Sequence, residues 1–506
     1  MSQPHLTVIV LAAGSGTRMK SKLSKVLHPL CGRSMIGHVL AAASSVDPDQ
    51  LAVVVGHGRE QVGPHVLERA PGALLAVQET QEGTGHAVRI ALDALADGAA
   101  QTVPGDGTVV VMYGDTPLLE GETLQALVAD HAATGRALTV LTGEPADPFG
   151  YGRVIRDATG AVTAIVEQKD ATPEEAAVRE INSGILAVDA RFLAEALPRI
   201  GNDNAKGEYY LTDLVGIAHG DGLAVGAHRI DDVMQTEGAN DRAQLAALGA
   251  ELNRRILDRW MRAGVTVVDP ATTWIDVTVQ LAPDVVVHPG VQLHGDTVVE
   301  EDAQVGPDTT LRDVVVGRGA RVVRTHGSEA VLEAGCSVGP FAYLRPGTVL
   351  GADGKIGTFV ETKNATIGAR AKVPHLSYVG DAELGEGSNI GAGTIFANHD
   401  GRSKHRTRVG RYARTGSNNT LVAPVEIGDG ATTGGGTVVR GDVPPGALAV
   451  SAGPQRVIEE WTLTRRDGTP SAAAARAALD RDGDPSHPEQ SPVARPDHGA
   501  GESPQG

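Results

Sequence analysis

Aromatic side chains are scarce in this chain: they make up 3% of 506 residues, against 64 glycines. A sequence that is 41% hydrophobic yet poor in rings builds its core from Val, Ile, Leu and Ala. That suits regular stacking of small side chains better than a bulky sandwich interior. Cysteine is nearly absent, with only Cys31 and Cys336 present. They are too few and too far apart for a disulfide framework, which points to a reducing cytoplasm. No apolar run approaches the roughly 18 residues that span a bilayer. The apolar segment Leu6–Ala13 lacks a basic leader and runs into a glycine-rich loop, so it reads as a buried strand rather than a signal peptide. A soluble, cytoplasmic protein is expected. Positive charge is in deficit, with a net charge of −18, which disfavours nucleic acid or a membrane surface as partner. One region departs from this balance. No Asp or Glu precedes Asp47, while Arg18, Lys20, Lys22, Lys25 and Arg33 fall in that stretch, a basic island in an acidic protein.

Between residues 5 and 235, apolar β-rich runs (Leu6–Leu11, Leu51–Val55, Val109–Tyr113, Ala137–Leu141) alternate with helix-like runs such as Met35–Ala43 and Glu122–Ala133. Unbroken apolar strands alternating with helices imply an α/β Rossmann-like domain with a mostly parallel sheet. Ligands of such sheets bind beyond the carboxyl ends of the strands. From Glu237 to Ala263 the steps Leu245, Leu248, Leu252, Ile256 and Trp260 predict a helix ended by Gly264, a linker over residues 236–263.

A period of six then takes over. Val287, Leu293, Val299, Val305 and Leu311 keep it, as do Val338, Leu344, Leu350 and Ile356, and again Val409, Thr415, Leu421, Ile427, Thr433 and Val439. Glycine often follows the aliphatic position, where it is expected to permit a turn that a Cβ would hinder. Such hexapeptide repeats predict a parallel β-helix over residues 264–462, with each aliphatic residue stacked on its counterpart in the next coil. The stretch Thr394–Arg408 breaks the period and carries Arg402, Lys404, His405, Arg406 and Arg408. It reads as a loop ejected from the helix, either functional or merely a solvated basic loop. Residues 463–506 show no periodicity and read as a disordered tail.

The chemistry of the first domain begins at Leu11-Ala12-Ala13-Gly14-Ser15-Gly16-Thr17-Arg18-Met19. Its small residues let backbone N–H groups approach a phosphate, and Arg18 and Lys25 supply fixed positive charge. Met19 replaces the third glycine of a dinucleotide fingerprint and no Gly-Lys-Ser/Thr is present, so neither an NAD site nor a Walker ATPase is supported. Tyr113-Gly114-Asp115 ends a strand. A carboxylate there is placed to hold Mg²⁺ together with substrate phosphates; on that residue alone, a turn or helix-cap role is the simpler reading.

Taken together, Leu11–Met19 with Lys25-Val26-Leu27, Gly83-Thr84-Gly85-His86-Ala87, Tyr113-Gly114-Asp115, Gly150-Tyr151-Gly152-Arg153, Val166-Glu167 and Asn182 resemble the sugar-nucleotide pyrophosphorylases. With the β-helix behind them, they resemble the bacterial family that combines N-acetylglucosamine-1-phosphate uridyltransferase and glucosamine-1-phosphate N-acetyltransferase in one chain, over roughly residues 5–462. In that family the β-helix is left-handed.

For the first domain the resemblance implies uridyl transfer from UTP to N-acetylglucosamine 1-phosphate, with release of pyrophosphate. Arg18 and Lys25 would stabilise developing phosphate charge, and Asp115 and Asn240 would be the Mg²⁺ ligands. Leu11, Ala12, Ala13, Gly14, Gln78, Gly83 and Thr84 would contact the nucleotide. Tyr113 and Gly114 belong to the same substrate site, and Gly152, Glu167 and Asn182 would contact the sugar. For the β-helix, Val373-Pro374-His375-Leu376-Ser377-Tyr378-Val379-Gly380 resembles the acetyltransferase segment. His375 would deprotonate the amine of glucosamine 1-phosphate for attack on acetyl-CoA, a task that suits an imidazole. Arg345 and Lys363 would hold the sugar phosphate, Tyr378 and Asn389 would orient the sugar, and Ala392, Asn398, His399, Ser417 and Gly435 would meet acetyl-CoA. Three positions depart from the family pattern: His399 stands in place of Tyr, Gly435 in place of Ala, and Ala452 where some relatives carry Arg. The resemblance also implies a homotrimer serving cell-wall peptidoglycan synthesis. The competing reading is a single-activity sugar-1-phosphate nucleotidyltransferase whose β-helix is structural or regulatory.

Overall fold

A computed structural model describes residues 5–97, 106–451, 453 and 455–482. The chain divides between Val450 and Ser451 into a large unit and a short C-terminal one. In the large unit the apolar runs form strands β1 (Leu6–Ala12), β2 (Gln50–Val55), β3 (Leu74–Val77), β4 (Thr108–Tyr113), β5 (Leu138–Gly143), β6 (Arg153–Arg156), β7 (Val162–Val166), β8 (Ile181–Asp189) and β9 (Val225–Arg229). Their order across the sheet is β9-β5-β8-β4-β1-β2-β3, with β6 hydrogen-bonded to β8 and β7. The centre is parallel, as expected of crossover connections, but β8 runs antiparallel to both β4 and β5. Val8, Ile9, Val10, Val109, Val110 and Val111 are fully buried, because helices cover both faces. These include α1 (Met35–Ser44), capped by Ser34, whose side chain accepts from Gly37 N, α2 (Thr84–Asp97) and α3 (Gly121–Thr134).

The linker helix α4 spans Arg242–Arg262, several residues shorter at its start than the periodicity implies. Asp241 sets that boundary: its carboxylate accepts from Ala243 N and Gln244 N, satisfying otherwise unpaired helix-end donors. Arg255 clamps α4 to the first domain through Glu120 (3.0 Å) and Asp232 (2.8 Å), and Glu251, one turn earlier in α4 itself, holds it in place (2.7 Å). Ile256 and Leu257 join the β-helix core on the other side.

Beyond Gly264 the chain coils into a parallel β-helix, and the period of six is the length of one side of a coil. Val287, Val305, Val322, Val338, Ile356 and Val373 stack in one column through parallel pairing. Val299, Val316, Leu332, Leu350, Ile367, Leu384, Val409 and Ile427 stack in another. The glycines after this second column serve a purpose other than the expected turn. None has a positive φ; instead, a Cβ on Gly351 would lie 2.6 Å from Ala369 N and one on Gly385 2.5 Å from Arg411 N. They let adjacent coils close against each other.

Of the period-breaking stretch Thr394–Arg408, Ile395–Ala397 stays in the coil as a strand paired with Tyr378 and with Thr420–Val422, and Thr407–Val409 rejoins it; the residues between these strands form the ejected loop. Asp400 folds it, accepting from Arg402 N (2.8 Å), Ser403 N (2.6 Å) and His405 Nε2 (2.7 Å). In the C-terminal unit the expectation of a disordered tail is corrected up to residue 482: helices occupy Trp461–Arg465 and Pro470–Asp482. The second is an alanine-rich run that begins on proline, a residue suited to the first helical turn. Residues 483–506 and Ala452 lie outside the described residues. Among the described residues no helix is long and apolar enough to cross a membrane.

Candidate active sites

The carboxyl ends of β1, β3 and β4 open into a cavity of about 260 Å³ lined by Leu11, Ala12, Ala13, Gly14, Lys25, Gln78, Gly83, Thr84, Tyr113 and Asp115, together with Gln81 and Glu208. The pairing Leu11↔Tyr113 and the bond Gly114 N→Leu11 O (2.9 Å) set the loop after β1 beside Asp115. Gly16 is left-handed (φ 58°), and a Cβ there would lie 2.5 Å from Lys25 Cβ; the missing side chain makes room for the lysine. Lys25 Nζ then meets Asp115 Oδ2 at 2.5 Å and Asn240 Oδ1 at 3.0 Å, while Arg18 Nη2 donates to the same Asn240 oxygen at 2.9 Å. Four residues from three distant stretches of sequence converge. Arg242 fastens the arrangement by donating from Nε to Met19 O (3.1 Å), so the start of α4 braces the loop.

Asp115 and Asn240 turn two oxygens toward one point, which the Lys25 ammonium fills. Oxygen donors around a cationic centre fit a hard divalent ion that takes one carboxylate, one amide and its remaining ligands from water and phosphate. Among the described residues no three His, Cys, Asp or Glu side chains gather to hold a metal by themselves.

At one end of the cavity, Gln78 is buried and donates to Gly83 O (3.3 Å). Gly83 has φ 113°, and a Cβ on it would strike the Tyr209 backbone. Thr84 Oγ1 accepts from Leu211 N (3.0 Å). The segment 208–211 thus rims the cavity, a feature without sequence signature because backbone atoms do the work. Asn182 N donates to Gly152 O (2.9 Å) and Asn182 Oδ1 accepts from Gly184 N (2.9 Å). A Cβ on Gly152 would sit 3.3 Å from Glu167 Oε1. Gly152, Glu167 and Asn182 are therefore brought together. Burial raises the Glu167 carboxyl above its usual range against the pull of Lys206, and burial with nearby Glu167 and Asp115 raises Tyr113; an uncharged phenol faces the cavity.

A second cluster lies on the β-helix. Lys363 Nζ is 3.9 Å from Asp381 Oδ2. Asn398 Nδ2 donates to the same Asp381 oxygen (2.5 Å) and to Tyr378 Oη (3.3 Å), and Asn364 Nδ2 donates to Asp381 Oδ1 (2.7 Å). Lys404, from the ejected loop, reaches Lys363, whose side-chain hydrogen bond foremost, then its charge, lowers the Lys404 pKa; the loop thus brings a second lysine to the cluster. Arg345 pairs with Glu361 (2.9 Å). His375 is exposed at the end of the strand Lys372–His375, and its carbonyl accepts from Gly393 N (3.4 Å), which ties it to the coil of Ala392. Asn389 bridges Lys372 and Arg414 on that face. Ala392, Ser417 and Gly435 occupy corresponding places in successive coils, with Asn418 N bonded to Ala392 O and Gly436 N to Ser417 O. Asn398 stands with Lys363 and Tyr378 rather than in that row. His399 is exposed at the start of the loop, and its Nδ1 accepts from Gly401 N (3.2 Å).

Sequence reasoning missed Asp381 and Asn364. Asn364, Asp381 and Asn398 are spaced seventeen residues apart, one coil each, and that spacing was the signal.

Residues 8–177 match the family model of a MobA-like NTP transferase domain. Over nearly its whole length the chain is similar to proteins named "Bifunctional protein GlmU". It is 59% identical to that of Kineococcus radiotolerans, over 94% of this chain and 95% of the relative. It is 58% identical to that of Rhodococcus opacus (93% and 94%) and 58% to that of Streptomyces avermitilis (93% and 97%).

Proposed function

The chain belongs to the family of bifunctional GlmU proteins, and from that membership we propose that it makes UDP-N-acetylglucosamine in two steps at two separate sites. On the β-helix, acetyl passes from acetyl-CoA to the amine of glucosamine 1-phosphate. In the first domain, a phosphate oxygen of N-acetylglucosamine 1-phosphate attacks the α-phosphorus of UTP in line; the bond to the β-phosphate breaks and pyrophosphate leaves. The product feeds peptidoglycan synthesis. Two free cysteines are in keeping with the cytoplasm as the place of action.

No covalent intermediate is needed for uridyl transfer, so catalysis rests on alignment and on offsetting the charge of two anions. Leu11–Gly14, Gln78, Gly83 and Thr84 hold the nucleotide, and Gly152, Glu167 and Asn182 hold the sugar. Arg18 and Lys25 stabilise charge on the α-phosphate and the departing pyrophosphate. Asp115 and Asn240 would hold Mg²⁺, which when bound neutralises phosphate charge. In the second reaction His375 accepts the proton of the attacking amine. Arg345 and Lys363 bind the sugar phosphate, Tyr378 and Asn389 orient the ring, and Ala392, Asn398, His399, Ser417 and Gly435 line the path of acetyl-CoA.

The observation that carries this reading is the convergence of Arg18, Lys25, Asp115 and Asn240 in one domain, and of Lys363, Tyr378 and Asn398 in the other. A homotrimer is supported by an exposed apolar ridge next to His375: Phe341 (54% exposed), Phe359 (58%) and Leu376 (59%), with the two phenyl rings stacked at 5.4 Å. An exposed patch of this kind marks an interaction surface. The test supplies glucosamine 1-phosphate, acetyl-CoA, UTP and Mg²⁺ to the full-length protein. Accumulation of free thiol, pyrophosphate and UDP-N-acetylglucosamine is expected. UDP-sugar formed only from pre-acetylated substrate would leave a single-activity nucleotidyltransferase.

A further inference from the structure

Asp381 has no task in the acyl-transfer mechanism above, yet it is the hub of that cluster. It is 8% exposed. Its two oxygens accept from Asn364 Nδ2 and Asn398 Nδ2, at 2.7 and 2.5 Å, and its charge faces Lys363. Burial alone would raise its pKa; the hydrogen bonds from Asn364 and Asn398, then Lys363 and Lys404, outweigh burial and hold it below the usual range. It stays ionised at neutral pH and accepts only. A primary amide has two N–H donors and one carbonyl oxygen. In Asn398, Nδ2 serves both Asp381 and Tyr378, so Oδ1 is the atom left for a ligand. The reversed amide would set its oxygen against a carboxylate, which is repulsive. Gly380 permits the arrangement, since a Cβ there would run into Tyr378 Oη and lie 2.7 Å from Asn398 Nδ2.

We propose that Asp381 is a positioning residue for acyl transfer: it fixes the Asn398 amide with Oδ1 presented to accept from a substrate N–H. The inference rests on the acetyltransferase reading above. The N–H belongs either to the acceptor amine or to an amide of the acetyl-CoA arm, and separate KM values for the two substrates distinguish these sources.

The test uses the full-length protein. Asp381→Asn is nearly isosteric, and asparagine tolerates the left-handed backbone found there (φ 48°). It removes the charge that orients Asn398. Acetyl-transfer kcat/KM is expected to fall about tenfold to hundredfold, the loss of one charge-assisted hydrogen bond, with uridyl transfer unchanged. Asn398→Ala should fall comparably, and the double variant no further than Asn398→Ala alone, because the two residues act through one contact. A rise in KM confined to glucosamine 1-phosphate assigns the N–H to the amine; a rise confined to acetyl-CoA assigns it to the donor. Independent, additive losses, or either single variant at the wild-type rate, would overturn the proposal. Should Asp381→Asn not fold, Asn398→Ala at the wild-type rate still overturns it. A wild-type protein unable to transfer acetyl at all would remove the underlying reading instead.

Discussion

At the scale of single residues, the proposed uridyl-transfer site depends on where Lys25 is held. Its ammonium lies between Asp115 and Asn240, and Gly16 leaves room for its stem. Gly16→Ala meets both a left-handed backbone (φ 58°) and the Lys25 Cβ. It is expected to displace the lysine and lower uridyl-transfer kcat by about tenfold to hundredfold, the scale of a misplaced catalytic group. Acetyl transfer, measured in the same preparation, should stay at the wild-type rate. Both thiols are held protonated: burial, then Asp276, pushes Cys31 up to about 12, and burial foremost pushes Cys336 up to about 11. Thiolates are the reactive species, so the native protein should resist alkylation at pH 7 until denaturant is added, as mass spectrometry would show.

At the scale of elements, α4 is fastened to the first domain by Arg255, which Glu251 of the same helix holds in place, and to the β-helix by Ile256 and Leu257. Arg254 foremost, with Arg255, pulls the Glu251 carboxyl down to about 2 against desolvation. A carboxylate whose folded pKa is depressed contributes stability above its unfolded value, and that contribution is lost as pH falls toward the folded value. Glu251→Gln should therefore lower the melting temperature at pH 7, with the gap to wild type closing as pH falls from about 4.5 toward about 2. A constant gap would contradict the assignment. In the β-helix, Ile367 is fully buried between Leu350 and Leu384. Ile367→Ala leaves a cavity in a column and should cost about 2–5 kcal/mol in a denaturant titration.

These elements differ in how far the sequence reveals them. The aliphatic columns are legible because each inward position repeats every six residues, and the ejected loop because it breaks that period. The antiparallel strand β8 is not, since a strand buried on both faces reads the same in either direction. The start of α4 was misread because apolar periodicity does not see the cap at Asp241. At the sites, Lys25 and Asp115 stand out as charges beside a glycine loop. Glu167, Asn182 and Asn240 are expected at the site only through family resemblance, since each is an ordinary polar residue until the fold gathers it. Asp381 escaped notice because its partners sit one coil before and one coil after it.

At the scale of the whole molecule, we propose that a metal-assisted phosphoryl site and an amine-deprotonating site occupy separate domains of one chain. The ridge of Phe341, Phe359 and Leu376 gives the assembly a direct test. Light scattering should report a trimer for the wild type, and Phe341→Asp with Phe359→Asp should shift it toward monomer, with loss of acetyl transfer and retention of uridyl transfer. A wild-type monomer active in both reactions would contradict the assembly.

The separateness of the two centres is tested most directly by complementation between His375→Ala and Asp115→Ala, each assayed alone and then mixed. Alone, the first should uridylate supplied N-acetylglucosamine 1-phosphate but not acetylate, and the second should acetylate but not uridylate. Mixed, they should convert glucosamine 1-phosphate to UDP-N-acetylglucosamine. Loss of both activities in either folded variant, or a mixture that yields no UDP-sugar, would contradict the account.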